Sequence, residues 1–254
     1  MARRLLDPIH SEDLNWRKYY RQVQFLLLKP LISSIDDRVK KAGKDYQSIR
    51  EAIRNIPQDP RMAGLVGAAA VRQYRYIKEE HTKKFERSMR KYFGVRYRVT
   101  EDREVQAAMR LFTDRNVSLI RTIDPRLHKK LAGEITTLIE GGQAFDQQAL
   151  TKTLQSGYNS AGYNLKRIVR DQTNKGLADL NQLRQQQVGI EQYVWVTMGD
   201  EAVRSSHAAL NGKTFDWISP PPQGHPGSEV LCRCVAQGIL PEGSPRKFGR
   251  PGFR

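Results

Sequence analysis

Trp16, Tyr20, Val23, Leu27, Leu31, Ile35 and Val39 recur every three to four positions, which predicts a helix over residues 12–42. Pro30 lacks an N–H and its ring crowds the preceding turn, so a kink is expected there, and Gly43 marks the stop. A short helix is expected near 46–55. Asp59-Pro60 then offers a capping carboxylate followed by proline at the first helical position. The stripe behind it runs through Met62, Val66, Ala69, Gln73, Ile77, His81, Phe85, Met89 and Tyr92 to Gly94, and predicts one long helix near 60–93. Such a helix would extend for roughly 50 Å.

Val95–Val99 alternates and reads as a short strand. Helices are expected at 101–122, 125–140, 147–156 and 160–187, punctuated by Asp124-Pro125 and Gly141-Gly142. After Gly189 the texture changes. Ile190–Thr197 is β-branched and aromatic and reads as a strand. Asp200 caps a helix over 201–210, stopped at Asn211-Gly212. Lys213–Trp217 and Leu231–Val235 are further strand candidates, and Pro220-Pro221-Pro222 excludes regular structure between them. The fold class expected is mainly α, with an elongated helical N-terminal region and a small α+β C-terminal module over 190–240. Residues 241–254 read as a flexible basic tail.

Charge sharpens this division. The 254 residues carry 43 Lys+Arg against 27 Asp+Glu, a formal net charge of +16. Residues 1–190 hold a balance of +15 and residues 191–254 only +1. An excess of this size points to nucleic acid or an acidic protein surface as partner and leaves the fold open. The basic side chains expected to make such contacts lie on the long helix: Arg72, Arg75, Lys83, Lys84, Arg87, Arg90 and Lys91. Glu79, Glu80 and Glu86 allow i,i+4 pairing along the same helix, so a solvated charged surface is the plainer alternative.

No apolar run approaches the ~18–20 residues that span a bilayer; Phe25-Leu26-Leu27-Leu28 stops at Lys29-Pro30. No membrane partner is expected. The N-terminus is basic without the apolar core of a signal peptide. Two cysteines one residue apart make no disulfide framework, so synthesis in a reducing cytoplasm is expected.

Those cysteines, Cys232 and Cys234, fall within 28 residues of His207 and His225. On an extended segment Cys-x-Cys places both sulfurs on one face. His207 shares a helix face with Val203 and Leu210 and should point inward. Four N/S donors suit tetrahedral Zn²⁺, and a closed Cys₂His₂ set would be a structural site stapling a small module. Asp200 is the substitute ligand if His225 swings out. The cysteines could equally be small apolar residues on a buried strand, with His207 a core histidine. A nuclease or related hydrolase using His207 as general base, helped by Arg204 and Arg233, is the enzymatic alternative. The chain holds no G-x-S-x-G, P-loop, dinucleotide fingerprint or H-E-x-x-H.

The same residues carry a family resemblance. Arg170-Asp171-Gln172-Thr173 closes one helix segment. Tyr193, Trp195 and Thr197 follow, then Asp200, Val203, Arg204 and His207, Gly212 with Phe215, His225-Pro226, and Cys232-Arg233-Cys234. This succession resembles the phage head morphogenesis proteins similar to the F protein of phage Mu, over roughly residues 105–240. Asn116–Ile120 resembles the region upstream. One departure is Gly227–Leu231, which separates His225-Pro226 from the cysteines and bears on His225 more than on the other three ligands.

The resemblance implies a helical family-like region over 105–189 ahead of the His/Cys module, and leaves 1–104 as a basic helical region without counterpart. It implies a minor structural protein of a tailed-phage head rather than an enzyme, made in the host bacterial cytoplasm and placed in the virion head near the portal vertex. The partners implied are the portal protein and packaged double-stranded DNA bound without sequence preference, with scaffold or major capsid protein as others. Genome ejection is a further implied role. A free DNA-binding protein unrelated to virions is the remaining alternative.

Overall fold

The computed structural model describes residues 5–94, 103–142 and 144–241. Helices α1 (Trp16–Val23), α2 (Lys29–Ala42), α3 (Tyr46–Arg54), α4 (Met62–Phe93), α5 (Arg103–Arg121), α6 (Ile123–Glu140) and α7 (Gln147–Gln187) precede a sheet of β1 (Gln192–Val196), β2 (Thr214–Asp216) and β3 (Val235–Gly238). A single short helix, α8 (Ser205–Ala208), lies between β1 and β2. The fold is mainly α with a small α+β module at its C-terminal end. The strand expected at Val95–Val99 and the tail from 242 lie outside the described residues. Among the described residues no helix is long and apolar enough to cross a membrane.

Two compact units are present, residues 1–16, 71–112 and 170–254 in one, and 17–70 and 113–169 in the other. In the second unit, α1 and α2 are joined by a wide π turn, Gln24–Leu28, in which the Lys29 N–H reaches back to the Gln24 carbonyl. Pro30 explains it: it offers no N–H to the turn before it, and the widened ladder absorbs the gap. Val23, Leu27, Leu31, Ile35 and Val39 of the expected stripe are buried, and Gly43 ends α2 at φ 80°. The stripe of α2 packs on α3, and α3 on α6. Asp45 caps α3, accepting from the Ser48 N–H at 2.8 Å.

Helix α7 is continuous where two helices were expected. Gly157 lies inside it and serves packing: a Cβ at that position would lie 2.4 Å from Leu131 Cδ2. Its missing side chain lets the buried Leu131 seat against α7.

In the first unit the sheet order is β2-β1-β3, antiparallel throughout, with Tyr193 opposite Phe215 and Trp195 opposite Ala236. The N-terminal segment lengthens it: the Leu6 N–H donates to the Gly238 carbonyl at 3.0 Å. One sheet face buries Tyr193, Trp195, Trp217, Cys232, Cys234 and Ala236 together. Its other support is residues 170–187 of α7. Here the face that should be apolar is polar: Asn174 donates to the Cys232 carbonyl at 3.1 Å, and Asn181 and Gln185 donate to the Ala236 carbonyl at 2.9 and 3.0 Å. These buried amides satisfy one carbonyl of β3 and one of the loop that leads into it, which would be costly to bury unpaired.

Candidate metal centre

His207 stands on α8, one short turn opened by Arg204 in extended conformation. The expected helix over 201–210 is thus shorter, because Glu201–Val203 form a turn ahead of it. The final strand also begins later than expected, at Val235. Leu231 sits at φ 57°, and the Cys232 N–H turns back to the Glu229 carbonyl at 3.1 Å. The cysteines therefore lie on a loop leading into β3. Cys232 and Cys234 are not on the extended strand expected at Leu231–Val235, yet both sulfurs still face His207.

His207 Nδ1 lies 3.5 Å from Cys232 Sγ and 3.6 Å from Cys234 Sγ. All three donor atoms fall within 4.8 Å of one another, and all three residues are buried. Metal bonds of ~2.0–2.1 Å to nitrogen and ~2.3 Å to sulfur at a tetrahedral angle separate N and S by ~3.6 Å. The donor set and spacing fit one zinc-sized ion. A cavity of about 20 Å³ borders the three residues together with Met198, Val203 and Arg204.

The sulfurs are electrostatically unequal. A hydrogen bond from the Cys234 thiol, then the backbone N–H groups of Cys234 and Gly227, overcome burial and push the Cys232 thiol down to about 6. The same shared proton pushes Cys234 up, with burial acting in the same direction. Cys232 is thus the readier of the two to lose its proton, and a bound cation would displace thiol protons.

The other expected ligands stand apart from this cluster. His225 Nδ1 is 3.0 Å from the Tyr193 hydroxyl, and its ring packs 5.0 Å from Trp217. Burial holds its pKa below the usual histidine range. The loop through Gly227–Leu231 accounts for the separation: the chain turns at His225–Ser228 and again at Glu229–Cys232 before delivering the sulfurs. Asp200 accepts from Arg233 at 2.6 Å, which lowers its pKa, and so serves an ion pair.

Three residues given no site role by the sequence frame the site. Asp171 Oδ1 accepts from the Leu231 N–H at 2.6 Å, Asn174 holds the Cys232 carbonyl, and Glu229 Oε2 lies 3.1 Å from His207 Nε2. A signal for the first two existed: polar residues at 171, 174, 181 and 185 break the apolar stripe of Val169, Leu177, Leu180 and Val188. Glu229 gave none.

On α4, three of the seven expected contact residues are paired with carboxylates: Lys83 with Glu80 at 2.7 Å, Lys84 with Asp13 at 2.6 Å and Lys91 with Asp7 at 2.9 Å. Arg72, Arg75, Arg87 and Arg90 are exposed.

Residues 129–237 match the family described as Phage Mu protein F like protein. This segment, under half of the chain, is similar to the Mu F-like family. It takes in most of α6, all of α7 and the module nearly to the end of β3, so the Asp171–Asn174 stripe and the His/Cys/Cys cluster both lie inside it. An uncharacterized protein of Haemophilus influenzae is 34% identical over 130 residues, covering 49% of this chain. The chain spans 28% of the length of that relative. No solved structure matches the chain.

Proposed function

We propose that this protein is a minor structural component of a tailed-phage head, acting in head morphogenesis. The observation that carries the reading is the Mu F-like segment, residues 129–237, which includes the support for the Cys loop. The portal protein is the partner that fits a component of this kind, and packaged DNA fits the +16 charge. Scaffold or major capsid protein, a place near the portal vertex and a part in genome ejection belong to the same reading. Lys83, Lys84 and Lys91 are partly neutralised inside the chain. The exposed arginines Arg75, Arg87 and Arg90 are therefore the better candidates for phosphate or acidic-surface contact.

The His/Cys/Cys cluster is read as a Zn²⁺ site with three protein ligands, His207, Cys232 and Cys234, one short of the closed four-ligand set expected of a structural site. His225 is left to the aromatic cluster. The chemistry supplied by the ion is cross-linking: it ties α8 to the loop before β3 in a module with few strands. The role is read as non-enzymatic. His207 is 2% exposed and faces two sulfurs and a carboxylate, which suits a ligand better than a general base reaching a phosphodiester.

Mass spectrometry of purified particles and procapsids tests the assignment. The protein is expected in both or in procapsids alone. Its absence from both overturns the head-component reading. Plasmid nicking lost on His207→Ala and kept by Cys232→Ser would overturn the non-enzymatic one.

A further inference from the structure

A histidine binds a metal through one ring nitrogen, and the other is ordinarily held by a carboxylate or carbonyl that fixes the ring and its tautomer. His207 presents Nδ1 to both sulfurs, so its opposite edge carries Nε2. That atom is buried and lies 3.1 Å from Glu229 Oε2, in charge contact without an aligned hydrogen bond. Glu229 is itself gripped. Arg204 Nη1 stands 3.3 Å from the same Oε2, and Arg204 Nη2 donates to the Val230 carbonyl at 2.6 Å. Arg204 opens α8, three residues before His207, so one short turn carries both the ligand and the clamp.

We propose that Glu229 is the positioning carboxylate of this metal site, orienting His207 through Nε2 so that the Nδ1 lone pair faces the cysteines. The proposal rests on the metal reading above. It also gives Gly227–Leu231 a function, since the segment that carries the chain past His225 is the one that delivers Glu229. The carboxylate cannot be a ligand in this arrangement, because it meets the ring on the edge away from the sulfurs. Its side chain is 38% exposed, whereas that of His207 is 2% exposed. Glu229 can therefore be altered at the surface without opening the core.

The test is zinc affinity of the full chain, measured by competition with a chromophoric chelator, alongside the Co²⁺ absorption spectrum. Glu229→Ala is expected to weaken zinc binding about 10-fold or more while leaving the thermal transition of the metal-free protein in place. Glu229→Gln keeps an acceptor oxygen at Nε2 and should recover much of the loss. Its Co²⁺ spectrum should match wild type in the thiolate charge-transfer bands. Wild-type affinity in Glu229→Ala overturns the proposal, as do equal losses in the Ala and Gln variants. A wild-type chain that takes up no zinc overturns the metal reading itself, and Glu229 with it.

Discussion

Asp171 on α7 holds the backbone N–H of Leu231 at 2.6 Å, and Leu231 is the one non-glycine residue with positive φ among those described. A left-handed leucine costs roughly 1–2 kcal/mol, so something must keep it there. The same carboxylate also takes a 2.9 Å ion pair from Lys175, one turn along the helix. Helix, strained loop residue and the cysteine that follows are thereby fixed as one piece.

Asp171→Ala should consequently loosen the Cys loop. Loss of a charge-assisted hydrogen bond at a largely buried position is expected to cost about 1.5–3 kcal/mol. Urea denaturation measures the total, and limited proteolysis should show new cleavage between 227 and 234. Unchanged cleavage there would mean that the loop holds itself.

Removing the metal should act on the same segment. Chelator treatment is expected to expose residues 191–240 to protease and to leave the helical cores resistant. Cys234→Ser should abolish stoichiometric zinc, measured by elemental analysis. His225→Ala should retain it, because His225 faces Tyr193 and Trp217. Loss of zinc in His225→Ala would return His225 to the ligand set.

Gly227 is a sharper probe of packing. It sits at φ 89°, and a Cβ there would meet Ala178 Cβ at 2.5 Å. Gly227→Ala combines a left-handed strain with a clash against α7. It should destabilise by about 2–4 kcal/mol on denaturant unfolding. Because the Gly227 N–H points at Cys232 Sγ at 3.4 Å, weaker zinc binding is expected as well.

Acid should weaken the first unit through His81. Its Nδ1 faces the Arg184 guanidinium at 2.8 Å and its Nε2 faces Asn181 at 3.3 Å. Burial first, then Arg184, pushes its pKa down to about 3. The unfolded chain, with a histidine pKa near 6.5, takes up the proton first. The contribution is complete above that pH and is lost as pH falls toward about 3, with a slope approaching ~1.4 kcal/mol per pH unit. Denaturant unfolding at pH 7, 6 and 5 measures it, and His81→Gln should flatten the dependence.

For the DNA reading, the exposed arginines are the handle. Changing Arg75, Arg87 and Arg90 together to Gln should lower affinity for non-specific duplex and reduce the log–log salt slope by about 2–3. A slope unaltered by the triple change would assign the charge to a protein surface.

Much of the fold was open to the sequence alone, because apolar periodicity is local. The stripes of α1, α2 and α4 depend only on spacing, and the stop at Gly43 and a disturbance at Pro30 on residue type, though the wide turn that replaced the expected kink did not. The change from helix to sheet at 190 was equally local, being a change of period and of residue type. Chemistry could nominate His207, Cys232 and Cys234 because few side chains bind soft metals. Spacing already set His225 below them, through the extra residues Gly227–Leu231, but could not say where its ring goes. That depended on where the 225–231 loop turns, which rests on a left-handed Leu231 held by a helix some 60 residues earlier in sequence. The joining of 147–156 to 160–187 was hidden for the same reason, since what Gly157 admits is known only once Leu131 is placed against it. The pairing of Lys83 with Glu80 lay within one helix and was foreseeable. That of Lys84 with Asp13 and of Lys91 with Asp7 joins segments 71 and 84 residues apart. Glu229 was invisible in the sequence, since an orienting carboxylate is defined by the ring edge it meets, and only the tertiary structure sets that edge.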